Sequence, residues 1–393
     1  MRVVGVVAEY NPFHSGHAYH LAAAKDRAGA DYALVLMSGD FVQRGEPALF
    51  PKRQRAKWAL ESGADLVLAL PAVLSLTSAA GFAQGALSLL EKTRVVDAVC
   101  FGSECGDTAL LRKALAAIEE PAQAAARRAA LARGQSFPAA QAAALNGLPS
   151  GPNDILGLEY LRALQSLGSS MEPIALKRAG AGHGEGRLCG PHASAGALRA
   201  RIAAGDWASL AGYLPPKACA EARALWEDGQ ARYFSRLSQA ILYALRRLSK
   251  EELAALGEVR EGLENPLYRA CREAATVEEL LALVKTRRYP MARLKRACLC
   301  ALLGMTGADL GAAEAGGYLR VLGARRAALP LLGRLGKSAK APLVSRFTDA
   351  AKLGPAQRRL FELDRFAAEA ACLAAQTPHP APFDFGEPLL LVD

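Results

Sequence analysis

Residues 3–17 read Val-Val-Gly-Val-Val-Ala-Glu-Tyr-Asn-Pro-Phe-His-Ser-Gly-His, and this stretch decides the fold. An apolar run of strand length ends in an Asn-Pro turn, and the chain then reopens with helical periodicity from Gly16 to Gly29. A helix start leaves N–H groups without intrahelical partners and presents the positive end of the macrodipole, which favours phosphate. His14 and His17 fall on one helical face and His20 continues it. Gly16, lacking a Cβ, lets a nucleotide approach the backbone closely. The pattern predicts a site for attack on the α-phosphate of ATP. Two plainer readings stand beside it. The three histidines match a zinc spacing, although only Glu9 is near enough in sequence to add a ligand and it precedes the turn. They also suit a structural role at a helix start.

Further apolar runs at Tyr32 to Met37, Leu66 to Leu70, Val96 to Phe101 and Pro173 to Leu176 alternate with helix-period segments. Those segments are Lys52 to Ser62, Thr77 to Glu91, Ala109 to Arg133 and Asn153 to Leu167. The alternation predicts an α/β class, a Rossmann-like parallel sheet covered by helices. In such sheets ligands gather beyond the carboxyl ends of the strands. Polar and glycine residues cluster there: Glu9 to His14, Ser38 to Pro47, Gly102-Ser103-Glu104 and Lys177-Arg178. The glycines at 180, 182, 184 and 186 lack the Lys-Ser/Thr of a P-loop and read as a lid or linker. Ser194 reads as a helix cap, with Arg199 one turn later suited to a leaving pyrophosphate.

A chain of 393 residues has room for more than one core. The division expected is a catalytic unit over 1–205 and a mainly helical region over 206–393. With 51% hydrophobic and 22% charged residues, disorder is excluded. No uninterrupted apolar run reaches the length of a membrane span, and no basic leader precedes the first strand, so a cytoplasmic protein without membrane association is expected. Eight cysteines without a Cys-x-x-Cys pair fit reduced thiols, and no metal-binding set emerges. The net charge of +10 permits a polyanionic partner.

Beyond residue 206 the helix-period segments are Pro216 to Leu248, Glu251 to Leu256, Val277 to Val284 and Ala292 to Leu303. Tyr318 to Leu322 reads as a strand, and the Pro-rich tail from Gln376 as surface chain. Lys285, Arg287, Arg288 and Tyr289, continued by Arg293, Lys295 and Arg296, combine cations with a ring that bases can stack on. A solvated helix face explains the same cluster equally well.

Longer strings carry a resemblance. Val7 to His17, Met37 to Ala48, Gly63 to Val67, Phe101 to Glu104, Pro152 to Gly157 and Lys177-Arg178 together resemble the tRNA(Met) cytidine acetate ligase family. The likeness covers residues 1 to about 205 closely and extends more loosely to 285–296 and 318–322. It implies activation of acetate by ATP to acetyl-adenylate, then transfer of the acetyl group to the wobble cytidine of elongator tRNA(Met), giving N4-acetylcytidine. It implies ATP binding at Val7, Ala8, Glu9, Tyr10, Asn11, Pro12, Phe13, His14, Gly16, His17, His20, Gly102, Asn153, Lys177 and Arg178. Asp40 and Asp154 depart from the Asn expected at those places, and the helix start at Ala193 to Gly196 is poorer in Ser and Thr than the family pattern.

For in-line attack on the α-phosphorus, donors must meet the charge that grows toward pyrophosphate. His14, His17 and Arg178 are the catalytic candidates, with Mg²⁺ arriving on the nucleotide. Asp40 and Gln43 are candidates to orient the cytidine amine, and Arg287, Arg288, Lys295 and Arg296 to contact tRNA phosphates. Two rivals remain: an adenylyltransferase acting on a small nucleotide or phosphopantetheine, and a non-catalytic RNA-binding protein.

Overall fold

The computed structural model describes residues 1–133, 135, 140, 145, 147–178, 193–381 and 386–393. The apolar runs form β1 (Val3–Ala8), β2 (Tyr32–Ser38), β5 (Leu66–Leu70), β6 (Ala98–Ser103) and β7 (Glu172–Lys177). A small antiparallel pair, β3 (Phe41–Val42) and β4 (Glu46–Pro47), lies within the loop after β2. Strands β5-β2-β1-β6-β7 are all parallel in that spatial order, with β1 at the centre.

Both faces of the sheet are buried, as all-parallel sheets require. Successive strand residues point to opposite faces, so Leu34 and Leu36 enter one apolar cluster while Ala33, Val35 and Met37 enter the other. Helices α1 (Ser15–Ala28) and α2 (Lys52–Glu61) cover the second face. Helices α3 (Ala79–Thr93), α4 (Thr108–Glu119) and, after α5 (Pro121–Ala132), α6 (Pro152–Ser166) cover the first. The single helix expected over Ala109 to Arg133 is two helices, parted at Glu120-Pro121, where the residue before proline is forced out of the helical region.

The chain past residue 206 is mainly helical, yet it also completes the sheet. β8 (Leu319–Arg325) pairs antiparallel with β5, and β9 (Leu343–Val344) and β10 (Leu390–Val392) both pair with β8. The described part of the tail from Gln376 is largely exposed, as expected, and its last segment, Leu390–Val392, adds an edge strand. The segment expected as continuous helix over Pro216 to Leu248 divides into Pro216–Glu227 and Ser238–Arg247. An 18-residue helix at Pro355–Cys372 escaped the reading. The glycine-bearing run at 180–186 lies outside the described residues.

At the carboxyl rim, parallel strands end in carbonyls that the sheet does not pair. Arg55 of α2 is completely buried and supplies donors to them. Its Nε donates to Phe50 O at 3.0 Å, its Nη1 to Glu9 O at 2.6 Å and Ser38 O at 3.1 Å, and its Nη2 to Gly39 O. Burial pulls its pKa down to about 10, so it stays charged at neutral pH. Arg55→Met keeps the volume but leaves four carbonyls short of a donor. An unmet buried polar group costs about 1–3 kcal/mol, so urea unfolding should show a loss of at least about 3 kcal/mol; a loss below about 1 kcal/mol is incompatible with this role.

Candidate active site

His14 occupies the N-cap of α1 with extended backbone, φ −145° and ψ 170°. Its Nδ1 accepts the Gly16 N–H at 3.1 Å, and its own N–H donates to Nδ1 of His17 at 3.2 Å. Two imidazoles thus close a reciprocal capping box, a task usually given to Ser or Thr with Glu or Gln. The rings stack with centroids 3.6 Å apart. Tyr10 and Phe13, both buried, fix the His17 ring at centroid distances of 4.7 and 5.6 Å.

This geometry sets the tautomers. A nitrogen that accepts a backbone N–H carries no proton, so each neutral ring holds its proton on Nε2 and presents it as a donor. Burial, reinforced by the positive Arg178 and by His14 and His20, which would repel a second charge whenever they are protonated, keeps His17 well below the ordinary histidine pKa of 6.5. Burial and Arg178 pull His20 down to about 4, and its Nε2 lies 3.6 Å from the Cys100 thiol. His17 and His20 are therefore neutral rings at neutral pH.

On the β6–β7 side, a Cβ at Gly102 would come within 3.3 Å of the Arg178 side chain, which lies across it. Lys177 and Arg178 are exposed at the end of β7. Glu104 caps α6, accepting from Asn153 N–H at 3.3 Å, Asn153 Nδ2 at 2.6 Å and Asp154 N–H at 2.8 Å. Asp154, one of the departures, is buried and accepts from Ser103 Oγ at 2.5 Å and Cys105 N–H at 3.1 Å. Both partners need only an acceptor, which explains why carboxylate serves there.

The β2 side holds Glu9 and the β3–β4 loop. Glu9 Oε1 accepts the Gln43 N–H at 2.8 Å, and the Gln43 side chain donates to Thr77 O. Asn11 Oδ1 accepts the Leu49 N–H, and its carbonyl accepts from Arg199 at 2.8 Å. Arg199, expected on pyrophosphate, holds the loop before α1 and lies 3.9 Å from Glu46. The helix Ala195–Ala203 that carries it is capped by Ser194, as expected.

Asp40 is not placed to meet a cytidine amine. It is 4% exposed, with one oxygen 2.7 Å from Lys52 Nζ and the other 2.8 Å from Arg232 Nη1, both cations equally buried. Burial alone would raise its pKa, but the two cations together hold the carboxyl well below the usual range. Its charge answers theirs, the physical reason for Asp at that place in this chain. Arg296 is also withdrawn from solvent: its Nε is 2.8 Å from Glu258 and its Nη1 donates to Gln43 O. Lys295 pairs with Glu46 at 2.7 Å. Gly45, at φ 76°, lies so close to this helix, Met291–Leu303, that a Cβ would meet Arg296 N at 2.7 Å. Tyr289, expected as a stacking ring, is buried with its hydroxyl donating to Glu261 O. Arg287 and Arg288 remain exposed.

Lys52, Arg55 and Arg232 are functional residues that no local motif marks; for Arg55 the one signal is positional, since it shares the covered face of α2 with the apolar Ala56 and Ala59.

A family profile described as HIGH Nucleotidyl Transferase matches residues 1–382. A tRNA(Met) cytidine acetate ligase of Thermoanaerobacter sp. (strain X514) is 34% identical over 402 residues, covering 99% of this chain and 100% of that protein. One of Acetivibrio thermocellus is 35% identical, covering 96% of each. The crystal structure of Thermotoga maritima TmcAL bound with alpha-thio ATP superposes with a TM-score of 0.88 at 30% identity, over the full length of both chains.

Because folded His17 and His20 resist protonation, the unfolded chain takes up protons below pH about 6.5 that the native state refuses. Stability therefore falls as pH drops from about 6.5 toward 4. In urea unfolding over that range, His20→Asn should flatten the decline by at most about 1.4 kcal/mol per pH unit; identical slopes would refute the assignment of His20 as neutral.

Proposed function

This chain belongs to the HIGH nucleotidyl transferase family and, within it, to the tRNA(Met) cytidine acetate ligases, and we propose on that premise that it uses ATP to join acetate to the wobble cytidine of elongator tRNA(Met). The observation that carries the chemistry is the histidine pair at the start of α1, each Nδ1 locked by a backbone N–H and each Nε2 carrying the ring's proton. ATP lies over β1, β6 and β7, its phosphates met by those donors, the helix start and Arg178. An acetate oxygen attacks the α-phosphorus in line, the bond to the bridging oxygen breaks, and pyrophosphate leaves as acetyl-adenylate forms. Preorganised donors stabilise the charge that grows on the leaving oxygen.

Mg²⁺ accompanies the nucleotide. Among the described residues no group of three or more His, Cys, Asp or Glu side chains is placed to hold a metal ion, and a Mg²⁺ carried by the nucleotide would neutralise part of the triphosphate charge. In the second step the cytidine N4 attacks the acyl carbon and AMP leaves.

RNA approaches from the β2 side. Arg199 joins the loop before α1 to a cavity of about 540 Å³ lined also by Glu46, Tyr233, Phe234, Met291 and Lys295. The rings suit an unstacked base, and Arg199 and Lys295, which pair with Glu46 here, would exchange that carboxylate for its phosphate. Among the described residues no helix is long and apolar enough to cross a membrane. A small-nucleotide adenylyltransferase would share the histidine chemistry but would exchange pyrophosphate into ATP in response to its own acceptor, not to acetate.

With ATP, labelled acetate and tRNA, the wild-type protein should deposit label in N4-acetylcytidine, and His17→Ala should lower that rate by about a hundredfold or more while remaining folded. Label in another nucleoside, or an unimpaired variant, contradicts this reading. Arg287→Glu with Arg288→Glu should weaken tRNA binding and reduce the slope of log affinity against log salt by about one to two. An unchanged slope removes both residues from the tRNA surface.

A further inference from the structure

Acyl transfer to an amine releases a proton, and a carboxylate held at the rim is one acceptor for it. Its titratable groups are largely committed. His14 and His17 have used Nδ1 on backbone N–H groups, so they donate from Nε2 and do not accept. Both oxygens of Asp40 are held by buried cations. Glu46 is paired with Lys295 and lies near Arg199. Glu104 takes three donors from the start of α6, and Asp154 is buried against Ser103 and Cys105.

Glu9 differs from all of these. It is the first residue beyond the central strand, between the nucleotide side at His14, His17 and Gly102 and the β3–β4 loop on the acceptor side. Its backbone is pinned by Arg55, and its side chain is partly exposed. Among the described residues its hydrogen-bond donor is the neutral Gln43 N–H on Oε1, so the carboxylate keeps capacity for a second proton-bearing group.

We propose that Glu9 is the base of the acyl-transfer step, accepting the proton that the cytidine N4 loses as it attacks acetyl-adenylate. The N4–acyl carbon bond forms, the bond from acyl carbon to phosphate oxygen breaks with its electrons going to AMP, and the N4 proton passes to the Glu9 carboxylate. That proton leaves to solvent with the product. A carboxylate is also the side chain that suits cytosine, whose N4 amine is a donor. Burial raises the Glu9 pKa, strengthening it as a base; the Gln43 N–H and the charges of Arg44, Arg199 and Arg55 work against that rise, and Tyr160 faces it from α6.

The inference rests on the ligase reading, and two measurements separate them. Acetate-dependent pyrophosphate exchange into ATP reports the first step; single-turnover transfer from synthetic acetyl-adenylate to tRNA reports the second. Wild-type protein without acetate-dependent exchange overturns the ligase reading itself. Given that exchange, Glu9→Gln, which still accepts the Gln43 N–H, should lower the ratio of transfer to exchange by about a hundredfold. The fall in transfer toward acid pH should disappear with it. Glu9→Asp, which keeps a more distant carboxylate, should transfer faster than Glu9→Gln and retain the acid limb. A transfer rate unchanged in Glu9→Gln, an equal loss of both steps, or an Asp variant no faster than the Gln variant overturns the assignment.

Discussion

A site that binds triphosphate at the carboxyl end of a parallel sheet faces an electrostatic conflict. The carbonyls at the ends of the strands and in the loops that follow them lose their sheet partners there, and any left without a donor would repel the anion the site must hold. Arg55 resolves it. By donating to the carbonyls of Glu9, Ser38 and Gly39, one buried guanidinium satisfies acceptors that would otherwise set negative charge against an anion. A guanidinium, planar and multiply donating, can serve several acceptors in this way where a lysine ammonium cannot spread its donors so widely. The loop after β1, the loop after β2 and the start of α2 are thereby fixed to one another.

The second half of the design lies in the imidazoles. A serine cap would close α1 equally well but would offer phosphate nothing further. Histidine carries two nitrogens on opposite sides of a rigid ring, so one can close the helix while the other serves chemistry. The stacking of the two rings, and the Tyr10 and Phe13 side chains beside them, remove the rotational freedom that binding would otherwise have to freeze. Structure and reactivity are therefore not separate demands on residues 10–17.

The parts legible in the sequence were those with strong local periodicity. Strands buried on both faces announce themselves as continuous apolar runs, and the five parallel strands fall within two residues of where their sequences put them. The histidine motif was legible because its spacing is local. What was not legible is long-range pairing. Nothing near Asp40 says that Arg232, 192 residues away, closes on it, nor near Gly45 that a helix 250 residues later packs against it. Charges such as Lys295 and Arg296 read as solvent-facing because their partners, Glu46 and Glu258, lie on other elements. Composition gives the sign of a residue, and only the fold says whether that sign is already spent.

The pairing of β8 with β5 carries a consequence for how the molecule is made. Until residues 319–325 have been synthesised, Leu66–Leu70 stands at the open edge of a hydrophobic sheet, the kind of edge that invites pairing with a neighbouring chain. More than half the polypeptide emerges while that edge is bare. Its protection during translation falls to chaperones or to rapid docking of the intervening helices, and contacts of such sequence separation fold slowly. A nascent chain of this protein is thus most vulnerable to aggregation in the interval before its late strand arrives, well after its nucleotide site has been spelled out.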